Sequence, residues 1–181
     1  SCDLLVVGAG LAGMAAALFA VNRGISTMLI GNTGGMRFYS GLMDLMSIHP
    51  LSTGREWDNP WTAIENLSAD YQQRHPYARI RPEVIQQALQ EYLVFLSDAG
   101  LEYDTAENRN QAVLTAIGTR KPTFGVPGSM AAGVAALQEK HPCLLVGFRE
   151  MKGYSAHQVQ AGMQADWPSL RSIELNFPGS F

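Results

Sequence analysis

Gly8, Gly10 and Gly13 are the residues of this chain whose type and spacing most directly imply chemistry. They follow the short apolar run Leu4 to Val7 and open an Ala-rich stretch of helical character that runs to Arg23. A glycine at the first position allows a sharp turn out of a strand. At the second, the missing Cβ lets a pyrophosphate approach the backbone, and at the third it lets the helix lie close to the sheet. The first turn of such a helix, here including Leu11 and Ala12, offers unpaired N–H groups and a partial positive charge. The chemistry expected is capture of a nucleotide's phosphates. A small-residue turn that only packs helix on strand is the other reading, and the context favours the first. Gly24 ends the helical pattern, and a second apolar run from Thr27 to Ile30 completes strand, turn, helix, strand. That order fills the ~30 residues of one βαβ unit.

One expected piece is missing. Dinucleotide sites place an acid about 20 residues beyond the glycines to hold a ribose hydroxyl. Here the second run ends at Gly31-Asn32-Thr33-Gly34-Gly35, and the next acid is Asp44. This argues against NAD and leaves a flavin mononucleotide, or a dinucleotide held mainly by its phosphates. Asn32 and Thr33 are further candidate cofactor contacts. Arg37 could stabilise a reduced, anionic ring, since the protein's part in such chemistry is position and local charge; a solvated loop arginine is the alternative. Asp44 is expected to pair with such an arginine or to cap a short helix.

Arg120 and Lys121 are expected on a turn between two short strands, where a basic pair suits either a substrate phosphate or solvent. His49, His75, His141 and His157 are scattered without metal spacing. His75 and His141 precede prolines and read as helix terminators, and His157 as part of an exposed first helical turn. No Ser/His/Asp or Cys/His set can be assembled, which excludes a hydrolase reading.

The elements that must position these residues follow in order. Gly31 to Arg55 is a long connection rich in Gly, Ser and Met, a length expected of functional loops. Asn59-Pro60 predicts a capped helix carrying Trp61, Ile64, Leu67 and Tyr71, stopped by Pro76. Pro82 opens a second helix with one apolar face from Val84 to Leu96, closed by Gly100. Leu101 to Gln111 reads as an exposed connection. Ala112 to Gly118 and Pro122 to Val126 read as strands, and Ser129 to Lys140 as a helix with Met130, Val134 and Leu137 inward. Cys143 to Phe148 is continuously apolar, as in a strand buried on both faces. Ser155 and Gln158 form a capping box for a helix that ends near Trp167-Pro168, and alternating Ile173, Leu175 and Phe177 predict a last strand.

With 181 residues, 46% hydrophobic and 16% charged, the chain can bury a core. Its net charge of −3 gives no electrostatic case for nucleic acid or an anionic membrane surface. No apolar run reaches the ~18 residues of a membrane span. No basic segment precedes the first helix, so no signal peptide is expected. Cys2 and Cys143 stand alone, so reduced thiols, a cytosolic setting and no metal site are expected.

The N-terminal βαβ, then FYSGLMDLMS, HPY, AIGTRKPT and LLVGFREMKGYSAHQVQAGM, resemble the B-type subunit of anaerobic glycerol-3-phosphate dehydrogenase. More distantly they resemble the flavoproteins related to fumarate reductase. The resemblance runs over the whole chain, which would be the N-terminal half or less of such a polypeptide. It implies a flavin, FMN or FAD, with Gly8, Gly10 and Gly13 holding its phosphate and Ser40 and Gly41 along the flavin. Tyr39 stands where that pattern often has a second serine. The resemblance also implies two partner subunits, one catalytic and FAD-bearing, the other an iron–sulfur protein that delivers electrons to membrane quinone. The reaction it implies is oxidation of glycerol 3-phosphate to dihydroxyacetone phosphate. Membrane association would come only through a partner.

The expected fold is α/β: a Rossmann-like FAD/NAD(P)-binding fold with an inserted α+β segment. Residues 1–58 are assigned to the nucleotide domain, 59–126 to the insertion and 127–181 to a truncated return to the sheet. Whether Cys143 to Phe148 rejoins the first sheet or extends a second one is open. Three functions are open: part of a flavoprotein oxidoreductase complex, a pyridine-nucleotide-dependent enzyme, and a non-catalytic scaffold or electron relay.

Overall fold

The structure is a computed structural model that describes residues 1–32 and 40–179. Strand β1 (Leu4–Val7) and strand β2 (Thr27–Ile30) pair in parallel, Leu4 opposite Thr27 and Val7 opposite Ile30. Helix α1 (Leu11–Asn22) crosses between them, as the apolar runs and flanking glycines predict. Asn22 and Arg23, at its C-terminal end, reach across to Glu91 at 2.7 and 3.3 Å.

Helix α2 (Pro60–Tyr71) starts where Asn59 Oδ1 accepts from the N–H groups of Trp61 and Thr62. Two short 3₁₀ turns lead to helix α3 (Pro82–Asp98), which carries Glu91. Its apolar face is only partly sealed: Tyr92 and Leu96 are buried, while Val84 is exposed.

The segment expected to be an exposed connection is structured. Strand β3 (Tyr103–Asp104) pairs antiparallel with β6 (Val126–Pro127), and Gln111 is buried. The Gln111 carboxamide donates to the Asp104 carbonyl, which fixes the polar stretch to the core. Strands β4 (Gln111–Leu114) and β5 (Arg120–Thr123) form a hairpin. Its turn is Thr115 to Thr119, closed by the Thr115 N–H donating to the Thr119 carbonyl at 2.8 Å. The turn therefore precedes Arg120 and Lys121, which sit on β5 as adjacent strand residues.

Helix α4 (Gly128–Glu139) buries Val134 and Leu137. Strand β7 (Cys143–Phe148) and strand β8 (Leu170–Leu175) are parallel and form a sheet separate from β1 and β2, with helix α5 (Ala156–Met163) crossing between them. Ser155 caps α5 by accepting from the Gln158 N–H, and the helix ends at Met163, a turn before Trp167. Strand β7 is not covered on both faces: Leu144 is 55% exposed and Val146 39%. Apolar continuity failed as a guide there because each described sheet has two strands, and α5 lies against one side of this one.

Among the described residues the core has three parts, two of which join residues far apart in the chain. Leu137, Val159, Met163, Trp167 and Leu170 form one. Leu42, Val113, Val126 and Val134 form the second. Met43, Tyr92 and Leu96 form the third, with Leu11, Ala15 and Phe19 of α1 against them. Fully burying an aliphatic side chain contributes about 1.5–3 kcal/mol, so these shared clusters couple the segments energetically.

Asp166 ties the hairpin to the far end of the molecule, bonding both Arg120 and Lys140. The Lys140 hydrogen bond first, and the two positive charges with it, hold its carboxyl below the ordinary value of 3.8. A depressed carboxylate contributes stability that is present above its unfolded value and lost as pH falls through the folded one. Thermal unfolding of the wild type should therefore lose stability below about pH 4, and Asp166→Asn should show a smaller drop over that acid range.

Candidate cofactor-binding site

The site is built on the turn from β1 into α1. Gly8 has φ +116° and its N–H donates to the Ile30 carbonyl at 2.7 Å, so the chain leaves the sheet there. A Cβ on Gly13 would lie 1.8 Å from the Gly8 carbonyl oxygen, so the helix sits directly against the turn. A Cβ on Gly10 would meet nothing within 4 Å. Among the described residues the space above Gly10 is therefore open, while that at Gly13 is occupied by backbone.

No side chain caps α1, and Gly10 occupies the cap position. Among the described residues no side chain accepts from the first N–H groups of the helix, those of Leu11, Ala12 and Gly13, which suits a phosphate. The open approach at Gly10 and the uncapped helix are the observations that make the residues present fit a nucleotide cofactor.

Gly31 is a contributor that spacing alone does not single out. A Cβ there would stand 2.7 Å from the Ala9 nitrogen, so the end of β2 presses on the glycine turn. Its place directly after the second apolar run is the available signal. Asn32 follows it, exposed beside this turn, with a carboxamide that can both donate and accept. Thr33, Arg37 and Tyr39 lie outside the described residues.

Ser40 is held locally and Gly41 from strand β3. Ser40 Oγ accepts from the Leu42 N–H at 3.3 Å, and the Tyr103 hydroxyl donates to the Gly41 carbonyl at 2.7 Å. Two residues on, the Met43 N–H donates to the Gly125 carbonyl at 2.9 Å. The Met43 carbonyl in turn accepts from the N–H groups of Phe124 and Gly125 and from the Thr123 hydroxyl, at 3.0, 2.9 and 3.1 Å. This clamp brings the segment after Ser40 to α1, because Met43 and Leu11 share one apolar cluster.

Asp44 does not serve as a helix cap. Its Oδ2 lies 2.6 Å from Lys121 Nζ. Arg120 and Lys121, expected together on a phosphate, diverge instead: neighbouring strand residues face opposite sides, and each meets its own carboxylate, Asp166 and Asp44. Among the histidines, His75 Nδ1 accepts from the Tyr77 N–H as a local cap, and His157 Nδ1 lies 2.6 Å from Ser172 Oγ. His49, to which spacing gives no role, is buried with Nε2 at 2.7 Å from Asp70 Oδ2. Among the described residues no group of three or more His, Cys, Asp or Glu could hold a metal ion. No helix of the described residues is long and apolar enough to cross a membrane.

A family profile described as FAD binding domain matches residues 3–167. The chain belongs to the FAD binding domain family. The flavin expected from the glycine turn is thus the dinucleotide form, despite the missing acid after β2. The chain is 32% identical to the probable B-type subunit of anaerobic glycerol-3-phosphate dehydrogenase from Halobacterium salinarum, over 98% of this chain and 40% of the relative. It is 31% identical to the B-type subunit of anaerobic glycerol-3-phosphate dehydrogenase from Aliivibrio fischeri, over 67% of this chain and 27% of the relative. The chain thus spans 40% or less of the length of these curated relatives. No solved structure shows significant similarity to it.

The two glycines separate steric from binding effects. Gly13→Ala gains about 1 kcal/mol of helix preference, but the clash with the Gly8 carbonyl should outweigh it. A net loss of about 1–3 kcal/mol is expected in a denaturant titration, the usual cost of overpacking. Gly10→Ala, with open space around it, should stay within about 0.5 kcal/mol of wild type.

Proposed function

We propose that this chain is the FAD-holding N-terminal part of the B-type subunit of an anaerobic glycerol-3-phosphate dehydrogenase, a flavoprotein oxidoreductase. The observation that carries the cofactor part is the uncapped N-terminus of α1 above an open Gly10. The names of the curated relatives support the enzyme. The substrate pair is glycerol 3-phosphate and dihydroxyacetone phosphate. Electrons pass to membrane quinone through two partner subunits, one catalytic and FAD-bearing, the other an iron–sulfur protein. The polypeptide works on the cytoplasmic side and meets the membrane only through them.

In this reading the bound flavin supplies two-electron oxidation–reduction chemistry. The chain's own residues bind and orient. The N–H groups of Leu11, Ala12 and Gly13 receive the phosphates, with Gly8 shaping the turn and Gly10 letting the anion reach the backbone. Asn32 meets a ribose hydroxyl in place of the usual acid. Ser40 and Gly41 lie along the flavin, fixed by Tyr103 and the Met43 clamp, and Thr33 and Arg37 complete the set. Substrate oxidation itself is assigned to the FAD-bearing catalytic partner, so no residue of this chain is given a catalytic role.

The test is an absorbance spectrum of the full-length protein, followed by acid release and chromatography of the chromophore. The expected result is stoichiometric FAD in wild type and a folded, colourless Gly10→Val variant, because the added side chain occupies the phosphate approach. FAD retained in that variant would remove the glycine turn as the site. A colourless wild type that still co-purifies with its partners would support the scaffold reading instead.

A further inference from the structure

The sheet of β7 and β8 has two unlike faces. On one, Cys143 and Leu145 pack with Val159, Met163 and Leu170, and a Cβ on Gly147 would meet that of Ala156 at 3.2 Å, so α5 covers it. On the other, the register sets Leu144 opposite Arg171, Val146 opposite Ile173 and Phe148 opposite Leu175. This second face is open, with Ile173 41% and Leu175 43% exposed beside Leu144 and Val146. Arg171 is the one charged residue in these three pairs. Among the described residues, none of the six belongs to a buried cluster. The face is distinct from the cofactor turn, because its sheet shares no strand with β1 and β2.

Aliphatic rows on parallel strands call for a cover. Parallel sheets are joined by crossover helices and are buried on both faces, and contiguous exposed apolar surface marks a contact. The curated relatives are matched over only 40% and 27% of their length, so most of such a polypeptide lies outside these residues. A crossover that leaves the carboxyl end of β8 to begin another parallel strand runs back over the sheet. Its helix then ends at the amino ends of the strands. Arg171 stands there, opposite Leu144, and a guanidinium suits the partial negative charge of a helix C-terminus. Strands of 6 residues span about 20 Å, which about 13 residues of helix cover.

We infer that this face is the docking surface for an amphipathic helix from the part of the same polypeptide beyond residue 181. The inference rests on reading the chain as the N-terminal part of a longer subunit. The helix lies antiparallel to β7 and β8, with its apolar stripe on Leu144, Val146, Ile173 and Leu175 and its last turn at Arg171. Burial of these aliphatic side chains drives the docking. The sheet becomes the middle layer of a second α/β unit, beside the one that carries the glycine turn.

The test uses the isolated full-length subunit, dilute and without partners, with the photo-cross-linker p-benzoylphenylalanine in place of Val146 or, at the rim of the face, Arg171. After irradiation, mass spectrometry should find a link within a single molecule to a segment beyond residue 181. A product of twice the mass would mean that a second copy covers the face, and would overturn the proposal. So would a link that forms only when the partner subunits are added and falls on their peptides, or no link from either position. Ile173→Lys should lower the melting temperature of the same protein by several degrees; an unchanged temperature would mean that the face meets water, and would overturn it too. Flavin content, read at its own absorbance band, keeps the two readings apart. A yellow protein without the link loses only the docking surface, and a colourless one with it keeps the docking surface and loses only the cofactor site.

Discussion

Everything else in the site depends on one contact without side chains: the face of α1 at Gly13 against the Gly8 carbonyl. Backbone meeting backbone at that distance leaves no place for a Cβ. Because the helix starts there, its first N–H groups emerge at the mouth of the turn and not a side chain's length away. Gly31 applies the same constraint from the other side, pressing the end of β2 on Ala9. The three glycines turn an ordinary strand-to-helix connection into a pocket whose floor is peptide dipoles. Those dipoles are fixed before a ligand arrives, so binding an anion needs little reorganisation.

Much of this is legible in the residues. The βαβ unit, both proline-started helices, the caps at Asn59 and Ser155 and the strand at Cys143 all rest on local rules of backbone geometry. Such rules operate within a few residues, where sequence is most informative. Local rules fail where partners are distant. Leu101 to Gln111 is polar and largely exposed, yet it is ordered by the pairing of Tyr103 and Asp104 with Pro127 and Val126 and by the buried Gln111 carboxamide. The hairpin turn comes earlier than residue type suggests, because Arg120 and Lys121 look like loop residues until Asp166 and Asp44 are seen opposite them. The exposure of Leu144 on β7 depends on how many layers cover a sheet, which a single strand does not encode.

The candidate site divides along the same line. The turn residues are contiguous, so their geometry follows from spacing. Gly41, Met43 and Asp44 take their positions from Tyr103, Gly125 and Lys121, residues far along the chain. No periodicity links these groups. Their common feature is physical: loop carbonyls and a loop carboxylate each need a donor, and a neighbouring β-structure supplies it.

The Met43 clamp has a consequence for how the molecule is made. Its hydroxyl donor, Thr123, lies 80 positions downstream. Closing so long a loop carries an entropic cost that short-range helices do not bear, and contacts of this kind form slowly. The glycine turn needs only the first βαβ unit, whereas the segment after Ser40 is anchored only when the hairpin is in place. On the proposed placement of the cofactor, phosphate capture and ring seating become separable events during synthesis. The chain would then hold one end of its cofactor before it has finished the wall that orients the other.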